Sequence, residues 1–301
     1  MMAVLIAAVC SAASAQLTEP VTFGEAVVVE QTSPGLVPSM KFDHINVYAS
    51  DLSFVRTATT MPLLQAPGAI TFSSSGDIFL AQPCDLSCVQ IHRYQQSESE
   101  TLFGDSIHDW IRSMQFVASG DLVAAYASGS FGRFDAQGRL IRVIRAPEAA
   151  GAFGFDVDSD QCTIVYSNLH LLAMINICSA EPLSIPLPLR PAADFFGVRF
   201  LPNGNILAGS RGAIYEIDRR GAFVRRFTTS ERGYGEVVLD PDGVSFWTSS
   251  DNRLFRFDLT TGNLIAGPVW LRNAAYGARS MAVRGEWRLA MYPARRRSVR
   301  R

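Results

Sequence analysis

Of 301 residues, 48% are hydrophobic and only 18% charged, a balance that excludes a disordered chain and supports one large folded core. The 27 basic and 28 acidic side chains leave a net charge of −1, so no basic footprint for nucleic acid is present.

The chain opens with an apolar run from Met1, followed by the small residues Ala13-Ser14-Ala15. This fits a secretory leader over residues 1–15, cleaved before Gln16, and predicts a secreted, periplasmic or cell-surface protein. The run is too short to cross a bilayer, and no later segment is long enough, so no transmembrane segment is expected. Beyond the leader remain Cys84, Cys88, Cys162 and Cys178, an even set suited to an oxidising compartment. Cys84 and Cys88 share the loop PCDLSC. Cys162 opens one strand and Cys178 ends the next, which an antiparallel hairpin sets opposite each other. The expected disulfides are therefore Cys84–Cys88 and Cys162–Cys178.

Next come Gly24-Glu25 and three strand-like runs, AVVVEQ, INVYAS and SFVRTAT, with the Pro-, Gly- and Ser-rich loop TSPGLVPSMKFD inserted between the first two. A turn then recurs as Gly76-Asp77, Gly120-Asp121, Asp160-Gln161, Asn203-Gly204, Asp242-Gly243 and Gly285-Glu286, at steps of 39 to 44 residues. The clearest copy of the unit is Tyr234 to Leu264. It reads as a strand at 237–239, a turn at 240–243, strands at 244–248 and 254–258, and a turn at 260–262 leading into a fourth strand. One such sheet cannot bury itself, so copies must stack. Four-stranded units of this period predict an all-β, six-bladed β-propeller over residues 16–287.

Closure follows from the ends. The run RSMAVR before Gly285 supplies a first strand for the three strands after Gly24, making a composite blade that removes two open sheet edges. Seven blades would result if 287–292 formed a strand of another blade. Residues 288–301 are expected to be a basic, solvated tail, and the protein a monomer.

Loops entering the innermost strands gather around a propeller's axis, where several blades can each supply a side chain to one ligand. Here that entry repeats an aromatic: Trp110, Phe153, Phe196, Tyr234 and Tyr276. A charge follows two or three positions on: Arg112, Asp156, Arg199, Glu236 and Arg279. With His108 in the loop before Trp110, these are the candidate ligand-binding residues. The aromatics suit stacking, and glycines beside them let neighbouring backbones approach. No catalytic motif is recognisable, and metal ligands are left unassigned.

The segments LPNGNILAG, AIYEIDRRGAF and LDPDGVSFWTSSDNRLFRFDLTTG resemble NHL-type six-bladed propellers and their relatives, the gluconolactonase-like and streptogramin-lyase-like proteins. DSDQCTIVYSN with INICS, GVRFLPNGNILAG and LDPDGVSFW resembles a group of exported bacterial propellers without an assigned activity. A gluconolactonase-like enzyme would imply a divalent metal such as Ca²⁺ on a glutamate, asparagines and an aspartate; Glu236, Asp156 and Asn252 are the residues it would use here. Its usual N-terminal G-E-x-P-x-W stands as GEAVVV, and the lyase-like histidine motif finds no counterpart. The expected function is thus non-catalytic binding of a small molecule or protein partner at the axial mouth, with no cofactor. A metal-dependent lactone hydrolase and a structural cell-surface module are the alternatives.

Overall fold

The structure is a computed structural model that describes residues 17, 19–31, 43–61, 68–84, 88–95, 100–146, 151–168, 170–179, 184–187, 194–227, 234–274 and 278–288. The leader, the inserted loop of the first blade and most of the basic tail lie outside these residues.

Six antiparallel sheets of four strands each form the ring. Blade 1 contains β1 (Ala26–Glu30), β2 (Asp43–Tyr48) and β3 (Phe54–Met61), and its innermost strand is the last among the described residues, β24 (Ala278–Val283); most of 287–292, the alternative further strand, lies outside them. Blade 2 holds β4 (Ala69–Phe72), β5 (Ile78–Pro83), β6 (Val89–Tyr94) and β7 (Thr101–Leu102). Blade 3 holds β8 (Ile111–Phe116), β9 (Leu122–Tyr126), β10 (Ser130–Phe134) and β11 (Leu140–Arg145). Blade 4 is β12 (Gly154–Val157), β13 (Thr163–Ser167), β14 (Leu172–Asn176) and β15 (Ser184–Pro186). Blade 5 is β16 (Phe195–Phe200), β17 (Ile206–Ser210), β18 (Ile214–Ile217) and β19 (Phe223–Phe227). Blade 6 is β20 (Tyr234–Leu239), β21 (Ser245–Ser250), β22 (Arg253–Asp258) and β23 (Leu264–Trp270).

Closure is visible in the packing. Each pair of neighbouring blades buries its own apolar layer, including Val27 and Val47 against Ile70 and Leu80 between blades 1 and 2. The layer between blades 6 and 1 joins Trp247 and Leu254 to Val28 and Tyr48. Aromatic rings cross these layers edge to face, as in Phe79–Phe116 at 4.8 Å and Phe227–Phe246 at 5.2 Å. A sheet that is apolar on both faces, such as β9 with all five residues buried, is thereby covered on both sides.

The recurrent turn follows each innermost strand. Gly76, Gly120, Gly204 and Gly243 have φ of +89°, +85°, +85° and +67°, a left-handed conformation that glycine adopts without a Cβ clash. In blade 4 Gln161 takes the same place at +60°. A side chain on the third strand often clamps this turn. Arg93 donates to Asp77 from Nε at 3.1 Å and Nη2 at 2.6 Å, and Arg133 to Asp121 at 2.8 and 2.6 Å.

Several strand boundaries of blade 6 differ from the expected ones: β21 runs on to Ser250 and β22 begins at Arg253, with those two residues paired. β20 begins at Tyr234, because an irregularity between Tyr234 and Val237 lets pairing continue past it. β21 begins at Ser245, because the side chain of Asp242 accepts the N–H groups of Val244 at 2.8 Å and Ser245 at 3.0 Å and holds Val244 in the turn. Both disulfides form in the expected pairs.

Candidate functional site

The innermost strands β4, β8, β12, β16, β20 and β24 run from one face of the ring, the mouth, to the other, the base, where the glycine turns lie. They are crowded. A Cβ on Gly68 would meet the carbonyl oxygen of Ile111 at 2.0 Å, and one on Gly197 the backbone N of Val237 at 2.6 Å. Close approach of strands is thus what these glycines provide.

Four of these strands are irregular at the mouth: pairing shifts between Ile111 and Ser113, between Phe195 and Val198, between Tyr234 and Val237, and in β24 between Ala278 and Ser280. A bulge re-aims the side chain it carries. Arg112 sits in the first of them and is exposed. Its guanidinium carbon lies 5.8 Å from the ring centroid of Phe153. Phe153 is 37% exposed and meets Phe196 edge to face, with centroids 5.7 Å apart. Arg112, Phe153 and Phe196 thus form one arc across blades 3, 4 and 5.

The remaining sequence candidates divide. Trp110 is half-buried against the apolar layer between blades 2 and 3, so it acts as a wedge. His108 is exposed on the loop before it. Tyr234 opens β20 and Arg279 lies in β24, but their side chains, like all of Tyr276, are outside the described residues. His170 is exposed, with Nδ1 4.0 Å from Asp194, whose other oxygen is 3.0 Å from Nε of Arg211.

Asp156, Arg199 and Glu236 lie deeper and belong to a different arrangement. Arg199 is buried; its Nε donates to Oε1 of Glu286 at 2.7 Å, its Nη1 to the carbonyl of Val198 at 2.9 Å, and its Nη2 is 3.7 Å from Glu236. Arg288, also buried, donates to Oε2 of Glu286 from Nε at 2.8 Å and Nη2 at 2.6 Å, and from Nη2 to Oγ1 of Thr71 at 3.2 Å. The carboxylates serve the backbone of neighbouring inner strands. Asp156 accepts the N–H of Phe200 at 2.6 Å, Glu236 that of Met281 at 2.8 Å, and Glu286 that of Leu239 at 3.2 Å. The hydroxyl of Ser280 likewise accepts the N–H of Ile70 at 3.1 Å. Innermost strands have no ladder partner on their axial edge, and a buried N–H left unpaired is costly. Side chains of adjoining strands and of the segment after β24 satisfy these donors.

Three carboxylates, Asp156, Glu236 and Glu286, share two guanidiniums. Burial pushes Asp156 up to about 6 and Glu236 up to about 7, against the pull of Arg199. Glu286 is also desolvated, but Arg199 and Arg288 together hold it below the usual carboxylate range. A metal shared by Glu236 and Asp156 would compete with Arg199, whose charge acts on both. The backbone carbonyl of Asn252 accepts the N–H of Leu271. Among the described residues, no three His, Cys, Asp or Glu side chains are grouped to hold a metal ion.

Sequence reasoning missed Glu286, Arg288, Thr71, Ser280 and Gln115. A signal did exist for part of this set: Thr71, Gln115, Asp156 and Arg199 each stand five positions before the turn residue, as the second-last residue of an inner strand.

No protein-family model matches the chain, and no curated protein does. Solved structures do. A chain of a solved nidogen/laminin complex aligns at TM-score 0.67 and 8% identity, over 86% of this chain and 98% of that one. A protein of unknown function from Bacteroides caccae aligns at 0.60 and 11% identity, over 87% and 99%. A protein from Lactobacillus plantarum aligns at 0.57 and 12% identity, over 86% and 99%. At such identities the likeness is one of fold, and it agrees with the strand order: the chain is a six-bladed β-propeller.

Proposed function

We propose that the chain is an exported, non-catalytic propeller that binds a ligand or protein partner at its axial mouth. The observation carrying this reading is the arc of Arg112, Phe153 and Phe196 at the entrances of β8, β12 and β16, where an apolar ring stands exposed beside a charge. Two disulfides support residence in an oxidising compartment. The nidogen/laminin complex supports a partner-binding use of the same fold, and the chain's motifs resemble those of NHL-type and gluconolactonase-like propellers and, more closely, of exported bacterial propellers without an assigned activity.

Ligand-observed NMR against a library of small metabolites and short oligosaccharides tests the reading. Binders are expected to lose affinity in Phe153→Ala and Phe196→Ala and to keep it in Val143→Ala on the outer strand β11. Binding indifferent to both mouth substitutions would sink the assignment of the mouth, and metal-dependent lactone turnover would sink the non-catalytic part.

A further inference from the structure

We infer that the mouth receives an anionic group carried on a flat apolar body, the anion on Arg112 and the body on Phe153 and Phe196. This rests on the mouth being the binding site and adds the chemical class of what binds there. The first ground is an uncompensated charge. Arg112 is exposed, and among the described residues no carboxylate lies within ion-pair distance of it; its recorded contact is the face of Phe153 at 5.8 Å. Arg199, by contrast, is paired with Glu286 and faces Glu236.

Among the described residues, the acids that precede β8 and β16 in the chain are already engaged. Asp109 accepts the N–H of Trp110 at 2.7 Å and that of Ser128 at 3.4 Å. Asp194 lies between Arg211 and His170. A second ground is Gln115, further along the same inner strand as Arg112. It is 2% exposed, and among the described residues its Nε2 donor has no hydrogen-bond partner. Strand β8 therefore carries an exposed cation at the rim and a buried amide donor deeper in. A ligand rich in acceptor oxygens complements both. The third ground is Phe153, an exposed ring held edge-on by Phe196. An aromatic or similarly flat group gains both area and favourable ring geometry there.

The test uses the full chain with N-acetyl-phenylalanine, its neutral amide and acetate as probes, followed by ligand-observed NMR titration. The acid should bind at least about fivefold more tightly than the amide, and acetate should be weaker still. Arg112→Gln should weaken the acid about tenfold, a single charge-assisted contact, and erase the preference over the amide. Arg112→Lys should restore part of it, and added salt should weaken the acid more than the amide. Phe153→Ala should weaken acid and amide together. Equal binding of acid and amide, an acid affinity unchanged in Arg112→Gln, or no binding of either probe overturns the anionic class. A neutral or cationic compound lost in Phe153→Ala but untouched by Arg112→Gln would end that class and leave the mouth reading standing. Failure of every compound to depend on Phe153 would end both.

Discussion

The axial core and the mouth of this propeller are built from the same inner strands, yet they use charge in opposite ways. In the core, Arg199 and Arg288 share Glu286, while Asp156, Glu236 and Glu286 each accept a backbone N–H from an inner strand. There, charge substitutes for missing sheet neighbours. At the mouth, Arg112 stands over a phenyl ring, and among the described residues no carboxylate pairs with it. The difference teaches that a charged residue on a propeller's inner strand says little by itself; its neighbours on the axial edge decide whether it closes the ring or serves the surface.

The largest expected effect breaks the core side of this contrast. Glu286→Ala leaves two buried guanidiniums without their shared partner and should cost about 3–5 kcal/mol of unfolding free energy, read from urea unfolding midpoints. A loss within the error of the measurement would mean that the axial charges do not lock the ring. Next comes the bridge at the base. Cys162 and Cys178 are 16 residues apart and Cys84 and Cys88 only 4. Replacing the first pair by serine should therefore cost about 3 kcal/mol and the second about 2 kcal/mol, on loop length alone. The reverse order would indicate that loop closure is not the governing term.

A pH series sharpens the contrast further. The folded chain holds protons on Asp156 and Glu236 up to about 6 and about 7, whereas these carboxyls ionise near 4 when unfolded. Between those limits the native state binds more protons, so stability should rise as pH falls from about 8 towards 5, by on the order of 1–3 kcal/mol. Glu286 is shifted the other way, so its contribution should be lost on further acidification below its unfolded value. Asp156→Asn should flatten the rise; an unaltered pH profile would remove Asp156 from its cause. The smallest effect belongs to the mouth: Arg112→Gln should change stability by no more than about 0.5 kcal/mol while altering ligand preference. A large drop in melting temperature would place Arg112 with the structural charges instead.

Most of the architecture was legible because the base turn demands left-handed φ, which five glycines and Gln161 provide at near-constant spacing. The hairpin logic that paired Cys162 with Cys178 worked for the same reason, since Ile177 hydrogen-bonds back to Cys162. The charges after the aromatic entries were harder to sort. Arg112 and Glu236 fall at irregularities of their strands, whereas β12, carrying Asp156, pairs without one. A one-residue offset sends side chains of similar sequence position to different places. Glu286 and Arg288 were illegible as axial residues because they follow the last strand, and only closure of the ring brings them to β4, β16 and β20.

Because β24 belongs to the first blade, the propeller cannot be assembled in the order of its synthesis. Blade 1 has to wait, with the axial edge of β1 uncovered, until residues made some 250 positions later arrive. The same late stretch delivers Glu286 and Arg288, so loss of the final strand would open the circle and withdraw its ionic bolt in a single event.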